Sequence, residues 1–225
     1  EEGIDRELMK LYASQQAVFA LARHARATGD EAALAVAERG MDYLAGPYWD
    51  HFLGGFFFGQ EHWTCLAAEE VYEQRPKPEY AELCYQVGVH YERITLRPDE
   101  TPRIEDAGGM SVGHLFTPHV GGTATAAEAM VSAAILGDKI GRDVSAIESQ
   151  LPITYDFLAR GQVNVHDTFW MASPKDSVGG FYEMQTKPYV RIDNVQHAIS
   201  AIVRGLHLLP PDEAGFGLEQ ARRDF

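Results

Sequence analysis

Residues 104–140 read IEDAGGMSVGHLFTPHVGGTATAAEAMVSAAILGDKI, a glycine-rich loop with acids, histidines and aromatics that runs straight into a stretch of small residues. Twice more the same order recurs. Tyr48–Gln60 (YWDHFLGGFFFGQ) precedes a helix expected to begin near Glu61, and His166–Arg191 (HDTFWMASPKDSVGGFYEMQTKPYVR) precedes one expected near Asp193. Repetition of one long loop and one helix at this spacing is the pattern of an array of helical hairpins.

Outward from that stretch the hairpins can be followed along the chain. Ile4–Ala27 carries Leu8, Leu11, Tyr12, Val18, Leu21 and Ala22 at helical spacing, and Gly29 and Asp30 supply a stop and a new N-cap before Glu31–Ala45. Glu61–Gln74 and Glu79–Thr95 flank Arg75-Pro76-Lys77-Pro78, whose prolines end one helix and open the next. Thr123–Ile140 and Val144–Arg160 flank Gly141 and Asp143, read again as a glycine stop and an aspartate cap. Asp193–Leu209 stops at Pro210-Pro211, with a weaker helix expected near Leu218–Asp224. Period-two patterning is confined to Gly55–Phe58 and Gly180–Met184, so the class is all-α. A chain of 225 residues that is 45 % hydrophobic suits one domain, 1–225, with about four hairpin units, the last partial.

Helices that follow the long loops are rich in Ala, Ser and Thr, as at Ala124, Ala126, Ala127, Ala129, Ala198, Ser200 and Ala201. Small side chains allow close helix approach, whereas the partner helices carry bulkier apolar faces with charged backs. The helices starting near Leu8, Glu61, Thr123 and Asp193 are therefore expected to be neighbours with a common direction. The long loops should then meet on one rim, opposite Gly29, Lys77 and Gly141.

Trp49-Asp50 with Gly54-Gly55-Phe56, Gly179-Gly180-Phe181-Tyr182, and the Thr28-Gly29-Asp30 turn after an alanine-rich helix resemble the α/α-toroid proteins. That group holds the six-hairpin glycosidases, the sugar 2-epimerases and the terpenoid cyclase-like folds. The resemblance implies an (α/α) hairpin toroid or partial toroid with long loops on one rim, and a carbohydrate-active enzyme (hydrolase, lyase or epimerase) acting on a sugar or glycan there. Two other readings compete: a non-catalytic toroid-like scaffold that binds a protein or glycan, and a terpenoid cyclase-like enzyme with an apolar substrate.

Candidate site residues gather in the loops. Asp50 and Glu61 lie among Tyr48, Trp49, Phe56–Phe58 and Trp63; ring faces stack on sugars, and paired carboxylates divide acid and base work. Against this, Asp50 can cap a turn and the phenylalanines can pack the core. His114 and His119 are substrate-binding candidates beside two glycine pairs, but five-residue spacing on a loop lacks the regularity of a metal site. Asp193 and Gln196 read as a capping box, which leaves Arg191 and His197 to explain. His197 falls one turn beyond Asp193, where that carboxylate could orient its ring. The catalytic candidates are thus His197, Asp50, Glu61 and Glu183; Trp49, Trp63, His114, His119, Asp167, Trp170, Tyr189 and Arg191 are candidates for substrate contact.

Several chemistries lack their parts. Nucleophile-elbow, Walker and dinucleotide fingerprints are missing, as are the acid motif of triterpene cyclases and the zinc ligands of lanthionine cyclases and prenyltransferases. No metal or cofactor is expected. A formal charge of −14 argues against nucleic acid and anionic membrane as partners. No apolar run reaches the roughly 18 residues of a membrane span, which leaves a small molecule, a glycan, a protein partner or an oligomer. Cys65 and Cys84 are read as reduced thiols at heights about 7 Å apart on one hairpin. That slightly favours the cytoplasm, although Glu1-Glu2-Gly3 at the start fits a trimmed or signal-processed product.

Overall fold

The computed structural model describes residues 13–49, 62–111, 117–184 and 187–208, and divides into two compact units. The fold is all-α. Helices are α1 (Ser14–Thr28), α2 (Glu31–Leu44), α3 (His62–Tyr72), α4 (Pro78–Ile94), α5 (Val120–Lys139), α6 (Ser145–Arg160), α7 (Pro174–Ser177) and α8 (Ile192–Gly205). Short 3-10 turns cover Pro47–Trp49, Ile104–Asp106 and Val165–Trp170. Among the described residues the one sheet is an antiparallel pair, β1 (Tyr182–Met184) with β2 (Lys187–Val190), at the expected Gly180–Met184 stretch. The other period-two stretch, Gly55–Phe58, and the weak helix near Leu218–Asp224 lie outside the described residues.

The first unit holds residues 1–88 and 132–143. Gly29 turns left-handed at φ 75° to end α1, and Asp30 Oδ1 accepts from the Ala32 and Ala33 N–H groups at 2.9 and 3.0 Å to start α2. These bonds hold the Asp30 carboxyl below its ordinary 3.8. The stability it adds is therefore present above that value and lost as pH falls through the lower, folded one. Asp30→Ala should lower the urea midpoint at neutral pH, and the gap to the parent protein should close in acid. Across the hairpin, Val18, Ala22, Leu34, Ala37, Met41 and Leu44 are buried. Each fully buried Leu or Met side chain contributes about 1.5–3 kcal/mol. Gly40 leaves room for Val18, since a Cβ there would overlap its Cγ2.

Polar ties join α3 and the following turn to this hairpin. Arg23 and Arg26 of α1 reach the buried Glu70 at 3.3 and 2.8 Å, and Gln74 donates to the Ala22 carbonyl at 3.0 Å. Lys77 bonds Asp42 at 2.6 Å, and the buried Tyr80 hydroxyl donates to the same carboxylate. Burial and that hydrogen bond push the Tyr80 hydroxyl up to about 12. Pro78 opens α4 as expected, a place where its missing N–H costs nothing.

Two expectations in this unit need correction. Cys65 and Cys84 are joined in a disulfide with Cα atoms 4.8 Å apart, well inside the range a bridge requires. Counting helical rise from assumed ends misjudged their heights, because α3 ends at Tyr72, two residues before Gln74, and α4 starts at Pro78, one residue before Glu79. The argument for a reducing compartment falls with the thiols. Reduction under mild conditions should lower stability by about 2–4 kcal/mol, read as a fall in unfolding midpoint that a Cys65→Ala/Cys84→Ala variant reproduces. The N-cap position of α6 also falls one residue later than expected, on Val144 and not on Asp143, and the Asp143 carbonyl accepts from the Tyr85 hydroxyl at 3.1 Å. Gly141 does turn left-handed, at φ 71°.

The second unit holds residues 89–131 and 144–225. Residues 94–96 exchange backbone hydrogen bonds with 108–111, and the segment leaving α6 (161–163) does the same with 179–182. Gly108 sits at φ +86° against the Ile153 carbonyl. Small residues of α8, Ala198, Ala201 and Gly205, face inward with Asn194 at i, i+4, i+7 and i+11. Tyr155 of α6 lies in the space left by Gly205 and donates to the Ala201 carbonyl at 3.1 Å. Ile192, Ile199 and Val203 stay on the exposed side.

In this unit α5 and α8 lie side by side. Gly121 abuts Asn194, Glu128 meets His197, and Arg204 donates to the Glu128 carbonyl at 3.3 Å, so both helices advance in the same direction. Helix α5 also corrects the expectation about membrane spans. An 18-residue window of it is apolar enough by composition, with mean hydropathy 1.2, but 94 % of that window is buried, so its apolarity serves the core.

Candidate functional site

The site in the second unit is assembled where α5 and α8 begin. Arg191 occupies the N-cap position of α8 without a side-chain cap, so the expected capping box from Asp193 and Gln196 does not form. Asp193 lies inside the first turn instead. It takes Arg191 Nε at 3.0 Å and Nη2 at 2.6 Å, a two-pronged pair. Partial burial works upward on the Asp193 carboxyl, but Arg191 and the Asn194 N–H outweigh it and hold it below the ordinary value. A capping box does form elsewhere, between Asn164 and Asp167 at the start of the 3-10 turn Val165–Trp170.

Gly121 explains how the helix starts meet: a Cβ there would overlap Asn194 Oδ1. Beside it, His119 caps α5, with the Gly122 N–H donating to its Nδ1 at 3.1 Å. An imidazole nitrogen that accepts carries no proton, so the neutral ring has its hydrogen on Nε2. That nitrogen stands 3.7 Å from Glu183 Oε1. Lys187 Nζ and Arg191 Nη1 approach the same carboxylate at 4.0 and 3.9 Å. Burial pushes the His119 pKa below its ordinary 6.5; the Glu183 charge pulls it back and Arg191 pushes it further down. The positive end of α5 acts in the same sense.

Because its folded pKa is depressed, His119 contributes stability that is present above pH 6.5 and lost as pH falls through the lower, folded value. The same holds for His90, whose burial and neighbour Arg93 also lower its pKa. His119→Asn should therefore flatten the acid side of the stability profile, and His90→Asn should flatten it independently. Thermal midpoints measured from neutral pH downward check this.

His197, one turn further along α8, is oriented by Glu128 and not by Asp193. Its Nδ1 lies 2.7 Å from Glu128 Oε2, and the Gln196 amide nitrogen lies 3.2 Å from the same ring atom. Asp193 is already engaged by Arg191, which is why the expected partner is replaced by a carboxylate from α5. The two imidazoles are thus held through Nδ1 in opposite senses. His119 accepts there and His197 donates to a carboxylate.

Aromatic residues lie on the segments that carry Asp167, Glu183 and Arg191. Trp170 stacks on Tyr182 with ring centres 6.0 Å apart and planes 20° from parallel, and burial and the Asp167 charge push the Tyr182 hydroxyl upward. Phe169 and Tyr189 are exposed, and Tyr189 lies between Lys187 and Arg191 on β2 and its extension. Of the expected site residues, then, His119, Glu183 and Arg191 converge directly, while Asp167, Trp170 and Tyr189 are carried by segments of the same unit. His197 pairs with Glu128. Trp49 and Trp63 belong to the first unit, where they pack on Tyr48 and on Phe19 and His62. Asp50, Glu61 and His114 lie outside the described residues.

No protein-family model matches the chain, and neither a curated protein nor a solved structure matches it. Sequence reasoning missed Glu128, Tyr182, Lys187 and Asn194. Glu128 had a signal, since it is the single charged residue between positions 120 and 136. A carboxylate in so apolar a helix needs a partner.

Proposed function

We propose that the protein is a carbohydrate-active enzyme that binds a sugar or glycan against the aromatic surface of the second unit and moves protons there. The observation that carries this reading is the stacked Trp170–Tyr182 pair, with exposed Phe169 and Tyr189, on the segments that also carry Asp167, Glu183 and Arg191. Aromatic faces take the apolar faces of sugar rings, while Glu183, His119 and Arg191 offer acceptors and donors for hydroxyl or acidic groups. His197 is the proposed proton carrier. The toroid or partial toroid expected from the repeats would set these loops on one rim, and it remains part of the proposal.

Titration with neutral and acidic oligosaccharides, followed by tryptophan fluorescence and by chromatography of products, tests the reading. Trp170→Ala should weaken glycan affinity about tenfold, the worth of one aromatic contact. Failure of every oligosaccharide to bind would overturn it. A non-catalytic scaffold is the second reading, favoured by the exposed apolar side of α8 at Ile192, Ile199 and Val203. Binding without any product would support that alternative.

A further inference from the structure

We infer that Glu128 is a positioning residue that fixes the tautomer of His197 and leaves Nε2 as its proton-accepting atom. The inference rests on the proposed role of His197 as proton carrier. The geometry begins with burial: the Glu128 side chain is 1 % exposed and the His197 side chain 13 %. A carboxylate can only accept, so the 2.7 Å contact places the hydrogen on Nδ1. Gln196 competes for the same atom at 3.2 Å, but its amide nitrogen can only donate, and the shorter charge-assisted bond prevails.

With Nδ1–H held by Glu128, the neutral ring of His197 has its lone pair on Nε2. When Nε2 takes a proton from a substrate, the ring becomes a cation and both of its N–H groups remain. Glu128 keeps its bond to Nδ1–H and stabilises that cation without itself being protonated. This is the division of labour by which a buried carboxylate assists a histidine base. The helix contact reinforces it, because Asn194 against Gly121 sets the register that brings His197 opposite Glu128. A packing role alone would give a different sequence: a leucine or methionine would fill the place in α5 without the desolvation cost of a carboxylate.

The test uses the full chain with ¹⁵N-labelled histidine and long-range ¹H–¹⁵N spectra above neutral pH, with His197→Ala to assign the signals. In the parent protein His197 should show a protonated Nδ1 and an unprotonated Nε2. Glu128→Gln should keep that tautomer, since the amide oxygen can still accept, and Glu128→Leu should shift the hydrogen to Nε2. A parent ring protonated on Nε2, or a Glu128→Leu ring unchanged from the parent, overturns the inference. Should Glu128→Leu not fold, the parent spectrum alone decides the tautomer.

A functional arm uses whichever oligosaccharide the fluorescence and chromatography screen shows to be processed. Glu128→Gln should leave KM within about twofold and lower kcat about 100-fold, as expected when a buried partner of a catalytic histidine loses its charge. An unchanged kcat overturns the positioning role. If no oligosaccharide is processed, the proposed function fails, and if His197→Ala turns over normally, only its proton-carrying role fails; in both cases the tautomer measurement still decides whether Glu128 sets the ring.

Discussion

Gly108→Ala is expected to destabilise the protein by about 3–5 kcal/mol, because left-handed strain and overpacking act together. At φ +86° a residue with a side chain is strained wherever it sits. Here a Cβ would also overlap the backbone carbonyl of Ile153, which belongs to α6 and cannot swing away as a side chain would. Relief requires moving the turn, and the turn is tied on several sides. The Gly108 N–H donates to the Leu96 carbonyl, Gly109 accepts from the Leu96 N–H, and Arg160 reaches the Ala107 carbonyl at 2.7 Å. Urea denaturation of the variant checks the figure. A loss smaller than Gly29→Ala causes would show that the approach to α6 is loose, since Gly29 has the same handedness but open space around it.

His197→Ala should lower turnover about 10³-fold, within the range that general acid–base groups contribute, while helix content hardly changes and the melting temperature falls modestly. The expectation depends on the side chain's place. His197 is partly exposed on a helix whose packed face is made by Asn194, Ala198, Ala201 and Gly205, so its removal leaves that face intact. The change does cost Glu128 one hydrogen bond, and that fall in stability is the expected mark of the loss. Kinetics on a processed oligosaccharide and a melting curve on the same sample separate the two effects. A variant that unfolds would identify His197 as a core residue satisfied by hydrogen bonds. A folded variant with full activity would transfer the proton-carrying role to another group.

The helices were legible because their signals are local. Gly29 and Asp30 mark a turn by backbone conformation and capping alone, and Pro78 marks a helix start by ring geometry. At α8 the cap was misread and the start moved by one residue, to Ile192: Asp193 looked like a cap from its spacing to Gln196, but a nearby guanidinium captured it. The site was less legible because it depends on pairs far apart in the chain. Glu128 and His197 are 69 positions apart, and His119 and Glu183 meet only after α6 and the β hairpin have turned the chain back. Spacing rules rank a neighbour such as Asp193 above a partner from another helix. The disulfide failed for a related reason, since heights inferred from assumed helix ends carry every boundary error into the distance between two sulfurs.

The contact of Gly121 with Asn194 has a mechanical consequence. With only the Asn194 amide between the two helix starts, there is little to absorb a shift of one against the other. His119 rides on the first helix start and His197 on the second, so their separation behaves like the gap of a fixed gauge. Any residue larger than glycine at position 121 would widen that gap and displace Asn194, and with it the register that sets His197 against Glu128. One hydrogen atom in place of a methyl group thus sets the tolerance to which both imidazoles are held.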